Sequence, residues 1–140
     1  LKLAADFGVK ILIEPHGHIS DSIAQTQKIL DACNSEALAL NLDTGNLWLG
    51  GGDPVEYVKK FGERIEHVHW KDLPGEMEAQ RGKMFGCGMA VIPLGTGVVP
   101  VKEVFRELVD AGFDGYSTLE IAGEEAIIQS HQYLKDLGGE

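Results

Sequence analysis

A chain of 140 residues, 44% hydrophobic and 24% charged, has the make-up of one soluble globular domain with a substantial core. Its formal net charge of -10, from 22 acidic against 12 basic residues, repels a phosphate backbone, so duplex nucleic acid is not an expected partner. No apolar run approaches the ~18 residues that span a bilayer, and the opening LKLAADFGVK lacks the apolar stretch of a signal peptide; no membrane partner and a cytoplasmic location are expected.

In chain order, Leu1 to Phe7 reads as the tail of a helix running into Gly8, and the first residue is Leu rather than Met, so the natural chain is expected to begin upstream. Lys10 to Pro15 is a short β-rich run ending in polar groups and reads as a strand. Ser20 is expected to open a helix over about 21 to 33. A second strand covers Ala37 to Asp43. Asp53, Pro54 and Glu56 then start a helix over about 54 to 61, since Asp caps the free amides, Pro suits the first turn and Glu reaches back.

A third strand covers Ile65 to Asp72. Residues 73 to 99 are long and glycine-rich for a βα connection, which suits a mobile lid or a substrate loop whose cations, Arg81 and Lys83, would hold an anionic group. Val101, Val104, Phe105, Leu108 and Val109 then repeat at the spacing of a buried helix face, with Pro100 before them and Gly112 as the terminal cap. Gly115 to Ile121 is the fourth strand, and Gly123, Glu124 and Glu125 open the last helix. Cys33 and Cys87 lack CxxC spacing and read as reduced thiols.

Four β-α units in a row require parallel strands joined by helical crossovers. A doubly wound sheet would want a GxGxxG turn after the first strand; EPHGHIS, GCGMAV and GTGVVP do not supply one. A full barrel needs about 250 residues. The expected fold is therefore α/β, one domain over residues 1–140, forming half of a TIM-type (β/α)8 barrel. Such a half leaves strand edges at 11–13 and 118–121 unpaired, so either a missing N-terminal half or a homodimer is expected to close it.

Reactive groups in parallel β/α folds gather at the carboxyl ends of strands. Here the four strands finish on Glu14, Asp43, His69 and Glu120, separated by about one, one and two repeat lengths. Three carboxylates and an imidazole make a hard, oxygen-rich site that favours Mn²⁺, Mg²⁺ or Co²⁺, with Zn²⁺ also compatible. In HVHW, alternation puts His67 and His69 on one face. Geometry alone does not choose between them; His69 is nearer the strand's carboxyl end, and His67 suits a packed, hydrogen-bonded position one layer down. Lys71 and Asp72 either bind substrate hydroxyls or phosphate or form a salt-bridged turn. His16 and His18 are candidates for the mouth of the site. Trp48 and Trp70 suit sugar stacking, with burial the safer reading.

These segments, ILIEP, NLDTGN, IEHVHWKD, the PLGTGVV turn and GYSTLEI, resemble the xylose-isomerase-like barrels, a family that includes sugar and sugar-phosphate isomerases, ketose 3-epimerases, inosose dehydratases and an endonuclease branch. The resemblance covers essentially the whole chain and assigns it to the C-terminal half, β5 to α8. It implies Glu14, Asp43, His69 and Glu120 as metal ligands, with Glu14 and Glu120 also catalytic acid/bases. It further implies a metal-dependent isomerase, epimerase or dehydratase acting through an enediolate on a sugar, sugar phosphate or inositol-type ketone. The departure is Asn46, where many relatives carry histidine; Asn still hydrogen-bonds a hydroxyl but does not shuttle a proton. Substrate contacts are expected from His16, Asn46, Lys71 and Asp72. A catalytically incomplete half-barrel serving as a binding or assembly module, or a truncated fragment, is the alternative, and a repair nuclease is disfavoured by the acidic charge.

Overall fold

The computed structural model describes residues 1–84, 86 and 88–138; Cys87, expected as a reduced thiol, lies outside them. Four parallel strands, β1 (Ile11–Ile13), β2 (Leu38–Asp43), β3 (Ile65–Trp70) and β4 (Tyr116–Leu119), form one sheet in sequence order. Around it run α1 (Lys2–Asp6), α2 (Ile23–Cys33), α3 (Thr44–Leu49), α4 (Pro54–Phe61), α5 (Val101–Asp110) and α6 (Glu124–Asp136). This is the α/β half-barrel the strand and helix order requires. No helix among the described residues is long and apolar enough to cross a membrane.

Local chemistry sets most of these boundaries. The Asp53 carboxylate accepts from the amides of Val55 and Glu56 at 2.9 and 3.2 Å, fixing the start of α4 ahead of Pro54. Helix α2 begins on Ser22, whose hydroxyl accepts from the Gln25 amide at 3.3 Å, and not on Ser20 as expected. Ser20 instead staples the loop after β1: its hydroxyl donates to the Glu14 carbonyl at 2.9 Å and accepts from the His16 amide at 3.0 Å. The buried stripe of α5 is Val101, Val104 and Leu108, whereas Val109 is 61% exposed, so that helix covers the sheet with a narrower face than its periodicity suggests.

A six-residue helix that the sequence reading leaves as loop, α3, follows directly on β2. It is buried throughout, and Asp43 caps it by accepting from the Asn46 amide at 2.8 Å. Among the described residues between 73 and 99, Gly75–Gln80 forms a 3-10 turn and Ala90 bridges Ile121. The cations of this stretch are engaged within the chain. Arg81 lies 4.8 Å from the Trp48 ring and donates to the carbonyls of Trp48 and Gly52, and Lys83 donates to the Ala79 carbonyl.

One side of the sheet forms the core. Leu40, Leu42, Val68 and Trp70 pack there with Tyr57, Val58, Phe61, Val104 and Leu108. Tyr57 meets Phe61 edge-on at 4.9 Å, and burial pushes its hydroxyl up to about 12. Trp48 and Trp70 are both buried in this cluster. Leu40, with no exposed surface, occupies the middle of the layer. Leu40→Ala is expected to cost roughly 2–5 kcal/mol, measured as a lowered midpoint in chemical denaturation with an unchanged slope; a smaller loss would show that the core collapses around the gap.

The opposite side of the sheet carries polar residues in two rows. Register pairs Asp43 with His69 and His69 with Thr118, and one layer below it pairs Asn41 with His67 and His67 with Tyr116. Side chains at the two edge strands stay open, with Ile11 46% and Tyr116 85% exposed.

Candidate metal centre

The strand ends converge. Glu14, Asp43, His69 and Glu120 each present a ligand atom, and all four atoms lie within 4.8 Å of one another. Asp43 and His69 are neighbours by strand register, while Glu14 leaves β1 and Glu120 leaves β4, so the two glutamates approach from the outer edges of the sheet. His69 Nδ1 stands between them, 3.6 Å from Glu14 Oε2 and 3.3 Å from Glu120 Oε1. Ligand atoms about 2.0–2.3 Å from one ion are separated by at most about twice that length, about 4.6 Å, and the observed spread of 4.8 Å lies just outside it, within reach of a small side-chain adjustment. Three carboxylates and an imidazole also suit a divalent ion on chemical grounds.

Each glutamate splits its oxygens between the centre and a supporting group. Glu14 Oε1 is 3.4 Å from the Asn46 amide nitrogen, leaving Oε2 towards His69. Glu120 Oε2 takes the Lys71 ammonium at 2.5 Å, leaving Oε1 towards His69. Asp43 is tied at both oxygens, Oδ1 to the Asn46 backbone N–H at 2.8 Å and Oδ2 to the Lys71 ammonium at 2.9 Å. Supporting bonds of this kind hold ligand rotamers ready for an ion.

Electrostatics differ sharply among the carboxyls. Burial pushes Asp43 up to about 6 against the opposing pull of Lys71. Burial also works to raise Glu120, but the hydrogen bond and charge of Lys71 prevail and bring it below the ordinary carboxylate value. His67 is held below the usual histidine range by burial and by the neighbouring His69 ring; its Nε2 lies 2.9 Å from the Thr118 hydroxyl, in the row beneath the centre.

Of the four residues expected to meet substrate, His16 is exposed beside the cluster, its Nδ1 3.1 Å from the Asn46 amide nitrogen. Asn46 is 3% exposed and links Glu14, His16 and Lys71. Lys71 is 1% exposed and spends its ammonium on Asp43, Glu120 and Asn46. The salt-bridged alternative is the one its geometry follows. For Asp72 the expected substrate contact is corrected: it has no exposed surface and its carboxylate accepts from the backbone amides of Leu73, Gly95, Gly97 and Val99.

One residue of the site is missing from the sequence reading. Asn41 lies on β2 two residues before Asp43, on the same face; its Nδ2 sits 3.1 Å from Glu14 Oε2 and 3.2–3.3 Å from the ring nitrogens of His69, while Oδ1 has no partner among the described residues. The period-2 alternation of NLD was the signal available for it.

Half a parallel barrel with three carboxylates and an imidazole gathered at the carboxyl ends of its strands defines the class: a β/α barrel protein with a candidate metal site. The chain belongs to the xylose isomerase-like TIM barrel family, whose model matches residues 1–137. It is 29% identical to an inosose dehydratase of Clostridium botulinum (strain Alaska E43 / Type E3) over 152 aligned positions, covering 96% of this chain and 50% of the relative. Among solved structures it superposes on a probable 3-DHS dehydratase involved in petrobactin synthesis from Bacillus anthracis, with TM-score 0.74 and 26% identity over 97% of this chain and 52% of that one. A D-tagatose 3-epimerase-like protein superposes with TM-score 0.75 at 22% identity, covering 97% and 49%. The chain thus spans about half the length of the curated relatives it matches.

Proposed function

We propose that the chain is the C-terminal half of a metal-dependent enzyme that isomerises, epimerises or dehydrates a sugar, sugar phosphate or inositol-type ketone through an enediolate. The observation that carries this reading is the convergence of Glu14, Asp43, His69 and Glu120 within 4.8 Å at the strand ends. Relatives named as dehydratases support the reaction class.

In this reading the four residues hold one divalent ion, Mn²⁺, Mg²⁺, Co²⁺ or Zn²⁺. When bound, the ion supplies Lewis-acid stabilisation of the charge that develops on the substrate's carbonyl and adjacent hydroxyl oxygens. The chain's own residues handle the proton. Glu14 and Glu120 flank His69 from opposite sides, so one removes a proton from the carbon beside the carbonyl and the other delivers one at the opposite side. Return to the opposite face of the same carbon is epimerisation, delivery to the neighbouring carbon is isomerisation, and loss of a β-hydroxyl is dehydration. Substrate contacts are assigned to His16, at the open side, and to the Asn46 amide beside it. Four further strands, from an N-terminal half or a second copy of the chain, complete the barrel along the open edges of β1 and β4.

The test is proton exchange. The chain, loaded with Mn²⁺ and incubated in D₂O with a panel of inososes and ketoses, is expected to place deuterium on the carbon next to the carbonyl, read by NMR. Glu120→Gln is expected to retain metal yet slow exchange by about 10²–10⁴-fold; full exchange in that variant would remove Glu120 from the proton path.

A further inference from the structure

Lys71 explains the DTGN sequence residue by residue. The Thr44 hydroxyl donates to the Lys71 carbonyl at 2.8 Å and accepts from the Lys71 amide at 2.9 Å, locking the end of β3 to the start of α3. Gly45 leaves room for the stem: a Cβ there would lie 2.7 Å from Lys71 Cγ and 2.8 Å from Cδ. Asp43 Oδ2 accepts from the ammonium at 2.9 Å, and the Asn46 side-chain oxygen Oδ1 accepts from it at 3.3 Å. Glu120, from β4, takes it at 2.5 Å. An ammonium has three hydrogens and no acceptor, and among the described residues oxygens of Asp43, Asn46 and Glu120 lie around it.

Two of those oxygens belong to residues read above as metal ligands, so a fixed positive charge lies directly behind the centre. With Lys71 the three carboxylates sum to a formal charge of -2; without it they sum to -3. Resting on the metal-site reading, we propose that Lys71 is the internal counter-ion of the centre. It orders Asp43 and Glu120 in ligand position before an ion arrives, and it matches the site's charge to one divalent cation. An ion carrying a further charge meets the ammonium across the same two carboxylates, where partial burial keeps screening weak. Lys71 is thereby a specificity-determining residue that acts through the ligands and not on the substrate.

The experiment compares Mn²⁺ with La³⁺ by titration calorimetry on the full chain and on Lys71→Met, which preserves most of the stem's volume. The readout is the ratio of the two dissociation constants, because general damage to the ligands weakens both ions together. The wild-type chain is expected to bind Mn²⁺, and Lys71→Met to shift the ratio towards La³⁺ by on the order of tenfold or more. Gly45→Ala provides a second route: its methyl crowds the stem while keeping every charge, and the ratio is expected to move the same way by a smaller factor, deciding the matter where Lys71→Met does not fold. A ratio unchanged in the folded variants, with Mn²⁺ still bound, overturns the counter-ion role and leaves the metal site standing. A wild-type chain that takes up neither ion overturns the metal site itself, and the counter-ion with it.

Discussion

Asp43→Ala is expected to weaken Mn²⁺ binding by on the order of a hundredfold or more, the largest effect of any single substitution on the centre. The residue does three things at once. It presents a ligand oxygen to the cluster, it caps α3 through the Asn46 amide, and it holds the Lys71 ammonium. Removing it therefore takes one of the carboxylates away from a 1% exposed ammonium that Glu120 also holds, and a broken buried ion pair costs about 3–5 kcal/mol. Metal affinity must be read beside a denaturation curve for that reason. Asp43→Asn separates the effects in part: its single side-chain oxygen can keep either the α3 cap, made in Asp43 by Oδ1, or the Lys71 contact, made by Oδ2, so it is expected to fold better than the alanine variant while binding metal little better. Unchanged affinity in a folded Asp43→Asn variant would take Asp43 out of the ligand set, and with it the reading of the strand ends as one centre.

The same residues show why some of the site is legible in the sequence and some is not. Parallel strands buried on both faces are written as apolar runs, and in this fold each run ends where the chain enters the reactive rim, so Glu14, Asp43, His69 and Glu120 mark themselves by recurrence. Helix α4 is legible because Asp53 and Pro54 carry its cap chemistry. Helix α3 is hidden by its composition: TGNLWLG, with a glycine inside and another at its end, reads as a turn, and burial against β2 and β3 overrides the weak propensity. Asn41 is hidden because an asparagine inside a strand has no motif of its own; its meaning depends on which neighbours the register brings beside it. Ser20 and Ser22 are equally good caps by type, and the choice between them follows from the loop after β1, which recruits Ser20 to hold Glu14 and His16. Lys71 and Asp72 are hardest of all. As adjacent polar residues at a strand's end they read alike, as substrate contacts or a salt-bridged turn, yet their side chains point opposite ways, one into the carboxylate cluster and the other into the loop that follows.

That second direction makes Asp72 the strongest structural prediction outside the core. Its Oδ1 accepts from the amides of Leu73 and Val99 at 2.8 and 3.0 Å, and its Oδ2 from those of Gly95 and Gly97 at 2.9 Å each. The PLGTGVV turn is folded around this one carboxylate. A Cβ at Gly97 would stand 2.4 Å from Asp72 Oδ1 and 2.1 Å from the Leu73 carbonyl oxygen, so the backbone can approach only as glycine. The turn in turn seats Leu94 and Val99 in the core, at 2% and 5% exposure, and delivers the chain into α5. Asp72→Ala strands four backbone donors at a site with no exposed side-chain surface, each worth about 1–3 kcal/mol if left unmet; relaxation of the turn towards water recovers part of this. The expected loss is about 3–5 kcal/mol, seen as a fall in the denaturation midpoint. Asp72→Asn is expected to lose nearly as much, because its amide group turns two donors against donors. A loss under about 1 kcal/mol in either variant would show that the turn is held by Leu94 and Val99 packing and not by the carboxylate. Because Lys71 precedes Asp72 on the same strand end, a loosened turn also frees the ammonium that supports Asp43 and Glu120. Metal affinity in Asp72→Ala is therefore expected to fall even though Asp72 contributes no ligand.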